Sequence, residues 1–213
     1  IAHEVIDLIS GRMQLLKVGD SVSLDIDVGP VISDTQQQKV LRHIDGMSQT
    51  GKILSQTPLP KALLETGFYV PPTLIEIHHL KDLKEEVFGP FSLVVICNDA
   101  SEMKRVAEAM DGQLTSTLIA SAHDITANED LVDVVTGKCG RIIINGVPTG
   151  VEVCLAMQHG GPFPASTDSR FTSVGADAIK RFARPIAFQN FPDQLLPEEL
   201  KSENPLLINR IVE

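Results

Sequence analysis

The sequence predicts an α/β fold, an open and mostly parallel sheet with helices on both faces. Three observations carry this expectation. From residue 91 onward, short β-rich runs alternate with helical stretches of about ten residues, the order expected when helices serve as crossovers between parallel strands. Phe91-Ser92-Leu93-Val94-Val95-Ile96-Cys97 is a nearly continuous apolar run, as a strand covered on both faces requires. Aromatic residues are only 4% of the chain and Trp is absent, so the core must be built from aliphatic side chains.

The elements follow in order. Val5, Leu8, Ile9, Met13 and Leu16 share one helical face, which predicts a helix over residues 1–16 that ends at Val18-Gly19-Asp20. Residues 24–32, with Gly29-Pro30, read as a loop. Ser33-Asp34, with Gln36 or Gln37 at the third helical position, caps a second helix running to about Ser48 and stopping near Gly51. Residues 52–55 form a short strand, and 57–67, with Pro58 and Pro60, a loop or edge segment. Residues 68–77 read as a strand broken by Pro71-Pro72, which places it at a sheet edge.

After the strand at 91–97 come a helix from Asp99 or Ser101 to Met110, a turn at Asp111-Gly112 and a strand at 114–120. A helix at 128–136, a break at Gly137 and a strand at 141–145 complete the alternating part. Ligands of such sheets bind beyond the carboxyl ends of the strands, which places the segment after Asn145 at the functional edge. Residues 147–175 carry Gly, Pro, Ser and Thr throughout with little periodicity, and a long loop of that kind in a compact unit is usually functional. A helix at 176–183, a strand at 185–188 and a tail at 192–213 with two short helical turns follow. The chain reads as one unit: a helical and edge-strand part at 1–90, a parallel core at 91–190 holding the loop 146–175, and a tail at 191–213.

Composition narrows the function. With 43% hydrophobic and 22% charged residues, the chain matches ordinary globular proteins. Its net charge of −10 and the absence of a basic stripe argue against a nucleic-acid partner, whose affinity rests on Lys and Arg. No apolar run reaches the roughly 18–20 residues that a membrane-spanning helix needs, and no leader pattern is visible. Cys97, Cys139 and Cys154 match no zinc spacing and suit reduced thiols in the cytoplasm. His78 and His79 are adjacent, so a strand would send them to opposite faces; Asp25 and Asp27 lack a third oxygen ligand. No metal site is expected. Gly160-Gly161-Pro162 lacks the Lys-Ser/Thr of a phosphate loop.

The most informative run is Glu85-Glu86-Val87-Phe88-Gly89-Pro90, just before the apolar strand. A carboxylate can accept hydrogen bonds from two vicinal ribose hydroxyls, and an aromatic ring can pack on the nicotinamide side. Gly89 and Pro90 fix the turn that aims both. Glu86 and Phe88 are therefore the candidate cofactor-binding residues.

This Glu-x-Phe-Gly-Pro pattern resembles a signature of the aldehyde dehydrogenase superfamily. Two further stretches are similar to that family. One is Leu16-Lys17-Val18-Gly19-Asp20 followed by Asp27-Val28-Gly29-Pro30-Val31-Ile32. The other is Gly140-Arg141-Ile142-Ile143-Ile144-Asn145-Gly146 with the loop ending at His159-Gly160-Gly161-Pro162. Up to about residue 77 the chain looks most like pyrroline-5-carboxylate (glutamate semialdehyde) dehydrogenases. Residues 145–175 look most like α-ketoglutaric semialdehyde dehydrogenases. Both groups oxidise five-carbon semialdehydes bearing a carboxylate.

The resemblance implies the catalytic-domain fold of that family, NAD or NADP as cofactor, an aldehyde substrate and a homo-oligomer. It implies that Gly150 and Val151 line the substrate tunnel, and that His159 does so too, with a histidine hydrogen-bonded within the loop as its competing role. Arg170 is a candidate partner for the substrate's distal carboxylate, since an Arg fork suits that group, with a structural ion pair as the competing role. The family's nucleophilic cysteine, general-base glutamate and oxyanion asparagine lie upstream of the passage where this chain begins, as does most of its cofactor-binding domain. The chain is thus expected to be a C-terminal portion of a longer enzyme, with no catalytic residue of its own and inactive alone. In the family the thiolate attacks the aldehyde, hydride leaves to the nicotinamide and water hydrolyses the thioester. Two other readings stay open: a non-catalytic binding or assembly module that kept the fold, and an unrelated α/β hydrolase using Cys154 and His159.

Overall fold

A computed structural model describes residues 1–79, 86–148, 150 and 153–209. Helix α1 (Ala2–Gln14) and helix α2 (Asp34–Thr50) open the chain. Ser33 caps α2 as its sequence predicts, its side chain accepting from the Gln36 amide at 3.2 Å. Val40 and Ile44 of α2 are buried against Val70, Ile75 and Ile77, and this aliphatic cluster is the main core. Each such side chain contributes about 1.5–3 kcal/mol relative to exposure. Gln37 is also buried, and its amide donates to the carbonyls of Gly67 at 3.3 Å and Tyr69 at 2.8 Å, which offsets the cost of burying it.

Strand β1 (Lys52–Gln56) pairs antiparallel with β2 (Thr73–Glu76), and β2 pairs parallel with β3 (Phe91–Val94). Strand β2 therefore lies in the middle of its sheet, not at the edge that Pro71-Pro72 suggests. Both prolines precede the first residue of the strand, so no ladder donor is lost. Pro72 instead contributes its carbonyl, which accepts from the Thr57 amide at 2.9 Å. Residues 57–67 also differ from expectation: helix α3 (Lys61–Thr66) follows directly on Pro60, a residue suited to a helix start. Helix α1 is tied to β1 through Gln14, which donates to Ser55 Oγ and the Gln56 carbonyl, both at 3.0 Å.

Beyond β3 come helix α4 (Ala100–Ala109), strand β4 (Gln113–Leu118), helices α5 (Ala122–Ala127) and α6 (Glu129–Lys138), and strand β5 (Cys139–Ile144). Asp99 caps α4, accepting from the Glu102 amide at 2.7 Å. Helix α5 is not anticipated by hydrophobic periodicity; a reciprocal capping box between Ser121 and Asp124 sets its start. Strands β4 and β5 pair in parallel, and Ala107, Leu131 and Val135 form a second small core beside them. Lys104 Nζ bonds Asp130 Oδ2 at 2.8 Å and links α4 to α6.

The α/β class stands, but the strands form two sheets, β1-β2-β3 and β4-β5. Among the described residues β3 pairs only with β2, and β4 only with β5, so each sheet keeps an open edge. After β5, Asn145 adopts a left-handed conformation, φ 52°, and its amide group bonds both the N–H (2.9 Å) and the carbonyl (2.8 Å) of Ala120. The loop it launches runs back to the amino ends of β4 and β5. A Cβ on Gly140 would sit 1.9 Å from the Gly160 carbonyl oxygen, and one on Gly161 would sit 2.3 Å from that of Gln113. Glycine is required at both for backbones to meet so closely.

The segment Ala176–Phe182 is a tight 3₁₀ helix, and the turns Asp193–Leu195 and Glu198–Leu200 match the tail as read. Residues 185–188 form no strand, although each sheet keeps an open edge. No helix among the described residues is long and apolar enough to cross a membrane.

Candidate functional site

Burial alternates along Glu86 (exposed), Val87 (half-buried) and Phe88 (exposed). Val87 packs on the main core, which turns Glu86 and Phe88 outward together. Three contacts hold the bend that follows. Gln36 Nε2 donates to the Phe88 carbonyl. The Phe91 amide bonds the Gly89 carbonyl at 2.8 Å across Pro90, and the Thr73 amide bonds the Pro90 carbonyl at 3.0 Å. A Cβ on Gly89 would lie 2.7 Å from Val40 Cγ2, so only glycine lets the bend rest on α2.

Glu86 and Phe88 both line a crevice of about 830 Å3 between the two sheets. Its walls are Phe91 to Leu93 on one side, Asp111 to Thr115 on the other, and Pro164 and Ala165 of the long loop. His43 of α2 also lines it, its ring meeting Phe91 edge-on at 5.0 Å between centroids. Phe88 is 74% exposed at this crevice. No described residue hydrogen-bonds or ion-pairs with the Glu86 carboxylate. The crevice opens by the amino-terminal portions of β3 and β4, not beyond the carboxyl ends as general α/β topology suggests. The long loop does leave from the carboxyl end of β5, and its glycines carry it back.

A smaller cleft of about 330 Å3 shares Leu114, Pro164 and Ala165 with this crevice. His159, Ser166, Thr167, Ser173 and Arg181 complete it. The His159 carbonyl accepts from Ser173 N at 3.1 Å and Ser173 Oγ at 2.7 Å, while the His159 amide donates to Thr172 Oγ1 at 2.9 Å. His159 Nδ1 is buried without a partner among the described residues. Arg170 lies outside the lining of this cleft. Its Nε and Nη2 bond the two oxygens of Asp168 at 2.9 and 2.7 Å, and its guanidinium sits 5.6 Å from the Phe171 ring centroid. The Arg170 hydrogen bonds hold the Asp168 carboxyl down at about 2. The Gly150 carbonyl accepts from Arg141 Nη1 at 3.2 Å, and Val151 lies outside the described residues.

None of the cysteines is prepared for catalysis by its surroundings. Burial, with Glu102 and Asp99 adding, pushes the Cys97 thiol up, and burial pushes up that of Cys139. Cys154 is exposed and makes no hydrogen bond to His159. His78 and His79 are exposed, and no group of three or more potential metal ligands gathers among the described residues.

Residues 1–183 match the aldehyde dehydrogenase family. The chain belongs to that family.

Among curated members, it is 56% identical over 126 residues to alpha-ketoglutaric semialdehyde dehydrogenase 2 of Azospirillum brasilense, covering 59% of this chain and 24% of that protein. It is 33% identical over 164 residues to the bifunctional protein PutA of Salmonella typhimurium, covering 72% of this chain and 12% of PutA. Among solved structures, PnpE in complex with nicotinamide adenine dinucleotide superposes with a TM-score of 0.65 at 26% identity, over 76% of this chain and 32% of PnpE. The chain thus spans about a quarter of the length of the semialdehyde dehydrogenase. These likenesses accord with both subgroup resemblances read from the sequence.

Of the predicted site residues, the fold brings Glu86 and Phe88 to one crevice and His159 to the adjoining cleft. Sequence reasoning missed His43 and Arg181. His43 precedes the core position Ile44 on α2, a flank that helical periodicity could have flagged. Asp168, two residues before Arg170, was the available sign that Arg170 has a neighbour to pair with.

Proposed function

We propose that this chain is part of an NAD(P)-dependent aldehyde dehydrogenase that oxidises a carboxylate-bearing semialdehyde to the acid. In this reading Glu86 accepts from the ribose hydroxyls beside the nicotinamide, and Phe88 packs against that end of the dinucleotide. The observation that carries it is the shared crevice. A carboxylate unpartnered among the described residues and an exposed ring project into one cavity from a bend that three hydrogen bonds and a glycine contact hold in place. Its volume is within the usual range for cofactor and small-molecule sites. The bound dinucleotide supplies the hydride acceptor. Oxidation runs through a cysteine thioester whose thiol lies outside this chain, consistent with the surroundings of Cys97, Cys139 and Cys154. His159, with Gly150 and Val151, borders the substrate's path.

Three free cysteines suit a reducing compartment, the cytoplasm. Exposed apolar side chains such as Phe182, Leu195 and Leu207 suit contact with the rest of the enzyme or with another subunit.

The test is an assay of the complete protein with NAD+ and NADP+ against five-carbon semialdehydes and a neutral aldehyde of equal length. The reading expects cofactor-dependent oxidation that favours the carboxylated substrates, and no turnover by residues 1–213 alone. Clear turnover by this chain alone, or none by the complete protein, contradicts it.

A further inference from the structure

The small cleft beside the crevice is lined by a cation, Arg181, that has no ion pair of its own among the described residues. Arg181 and Arg170 both act on Asp168 electrostatically. Arg170, however, takes both Asp168 oxygens through its guanidinium, and its backbone amide adds a third bond to Oδ1 at 3.0 Å. The neighbouring Lys180 is paired with Asp177 at 2.9 Å. Arg181 makes no hydrogen bond or ion pair with a described residue. Two guanidinium groups thus face one carboxylate, and the surplus positive charge belongs to the side chain that lines the cleft.

The donors around it point the same way. Ser166 Oγ spends its proton on the Gly161 carbonyl at 2.6 Å, and Ser173 Oγ spends its own on the His159 carbonyl. That leaves Arg181 as the charged donor of the cleft, with Thr167 beside it. Leu114, Pro164 and Ala165 join this cleft to the crevice where Glu86 and Phe88 sit. A short, flexible molecule with a carboxylate at one end could place that end here and reach the crevice with the other.

We propose that Arg181, and not Arg170, is the specificity-determining cation of this site and binds the distal carboxylate of the semialdehyde. The assignment rests on the semialdehyde reading above. Asp168 tunes it by occupying Arg170.

The test uses the complete protein without cofactor, so that nothing turns over. Glutarate, its neutral diamide and inorganic phosphate are titrated calorimetrically. Binding of glutarate is expected, with the diamide at least about tenfold weaker, since a charge-assisted Arg–carboxylate pair is worth at least that factor. Arg181→Gln should lose about the same factor. Asp168→Asn, which frees Arg170 as a second cation, should retain or strengthen binding. In the unmutated protein, glutarate should shield Arg181 from phenylglyoxal, a readout that needs no variant to fold.

Absence of glutarate binding, unchanged binding by Arg181→Gln, equal loss in Asp168→Asn, or phosphate binding as tight as glutarate would each overturn the assignment. If Arg181 fails while the complete enzyme still prefers carboxylated semialdehydes, only this inference falls. If Arg181 binds glutarate but the complete protein oxidises no aldehyde, the enzymatic reading falls instead.

Discussion

The side-chain amide of Gln36, in the first turn of α2, donates to the main-chain carbonyl of Phe88. One bond thereby joins the start of the main core helix to the bend that presents Glu86. Gln36→Ala removes this tether while leaving the Ser33 cap in place. Stability should fall by about 0.5–1.5 kcal/mol, the net value of one such bond. Urea unfolding measures that loss, and faster hydrogen exchange at Phe88 and Gly89 should accompany it.

The return of the long loop depends on backbone touching backbone at Gly140 and Gly160. An added methyl at Gly140 meets a carbonyl oxygen that cannot rotate away. Gly140→Ala should therefore cost about 1–3 kcal/mol or more. Gly46→Ala is the control: it lies within α2 with nothing within 4 Å of its Cβ direction, and should stabilise by about 0.5–1 kcal/mol. Chemical unfolding of the two variants should move the midpoint in opposite directions.

Much of this architecture was legible in the sequence because its signals are local. Ser33 and Asp99 each announce a helix start through a side chain that bonds an amide three residues on. The parallel β4-β5 pair follows from apolar runs separated by a helical crossover. What was misread depends on longer-range relations. The place of β2 in its sheet is set by which strands flank it, and two prolines just outside a strand look the same in sequence as two within it. The bend at Glu86 was recognisable because carboxylate, ring, glycine and proline are contiguous. The pairing of Arg170 with Asp168, which leaves Arg181 without an ion pair among the described residues, required knowing how a loop folds on itself.

Acid should act through Asp168. Its folded-state carboxyl is lowered to about 2 from an ordinary 3.8, first by the Arg170 side-chain hydrogen bond. A depressed carboxyl contributes stability that is present above its unfolded value and lost as pH falls through the folded one. The stability difference between the unmutated chain and Asp168→Asn should be constant above about pH 5 and shrink between about pH 4 and 2. Urea midpoints at each pH read this directly. A difference that grows toward low pH would contradict the sign.

The three thiols should react in a fixed order. Cys154 is exposed, whereas Cys97 and Cys139 are half-buried with thiols pushed up by burial. Because the thiolate is the reacting form, iodoacetamide at neutral pH should modify Cys154 first and the other two slowly. Peptide mass spectrometry over a time course resolves the order. Early modification of Cys97 would mean that the segment following β3 opens readily.

The central claim is that Glu86 grips the cofactor's ribose, and the most direct measurement is kcat/KM for the dinucleotide in the complete enzyme carrying Glu86→Gln. A charge-assisted bond of about 1.5–3 kcal/mol predicts a fall of about tenfold or more, with the unfolding midpoint unchanged because Glu86 is exposed and unpartnered among the described residues. A value indistinguishable from that of the unmutated enzyme would contradict the account.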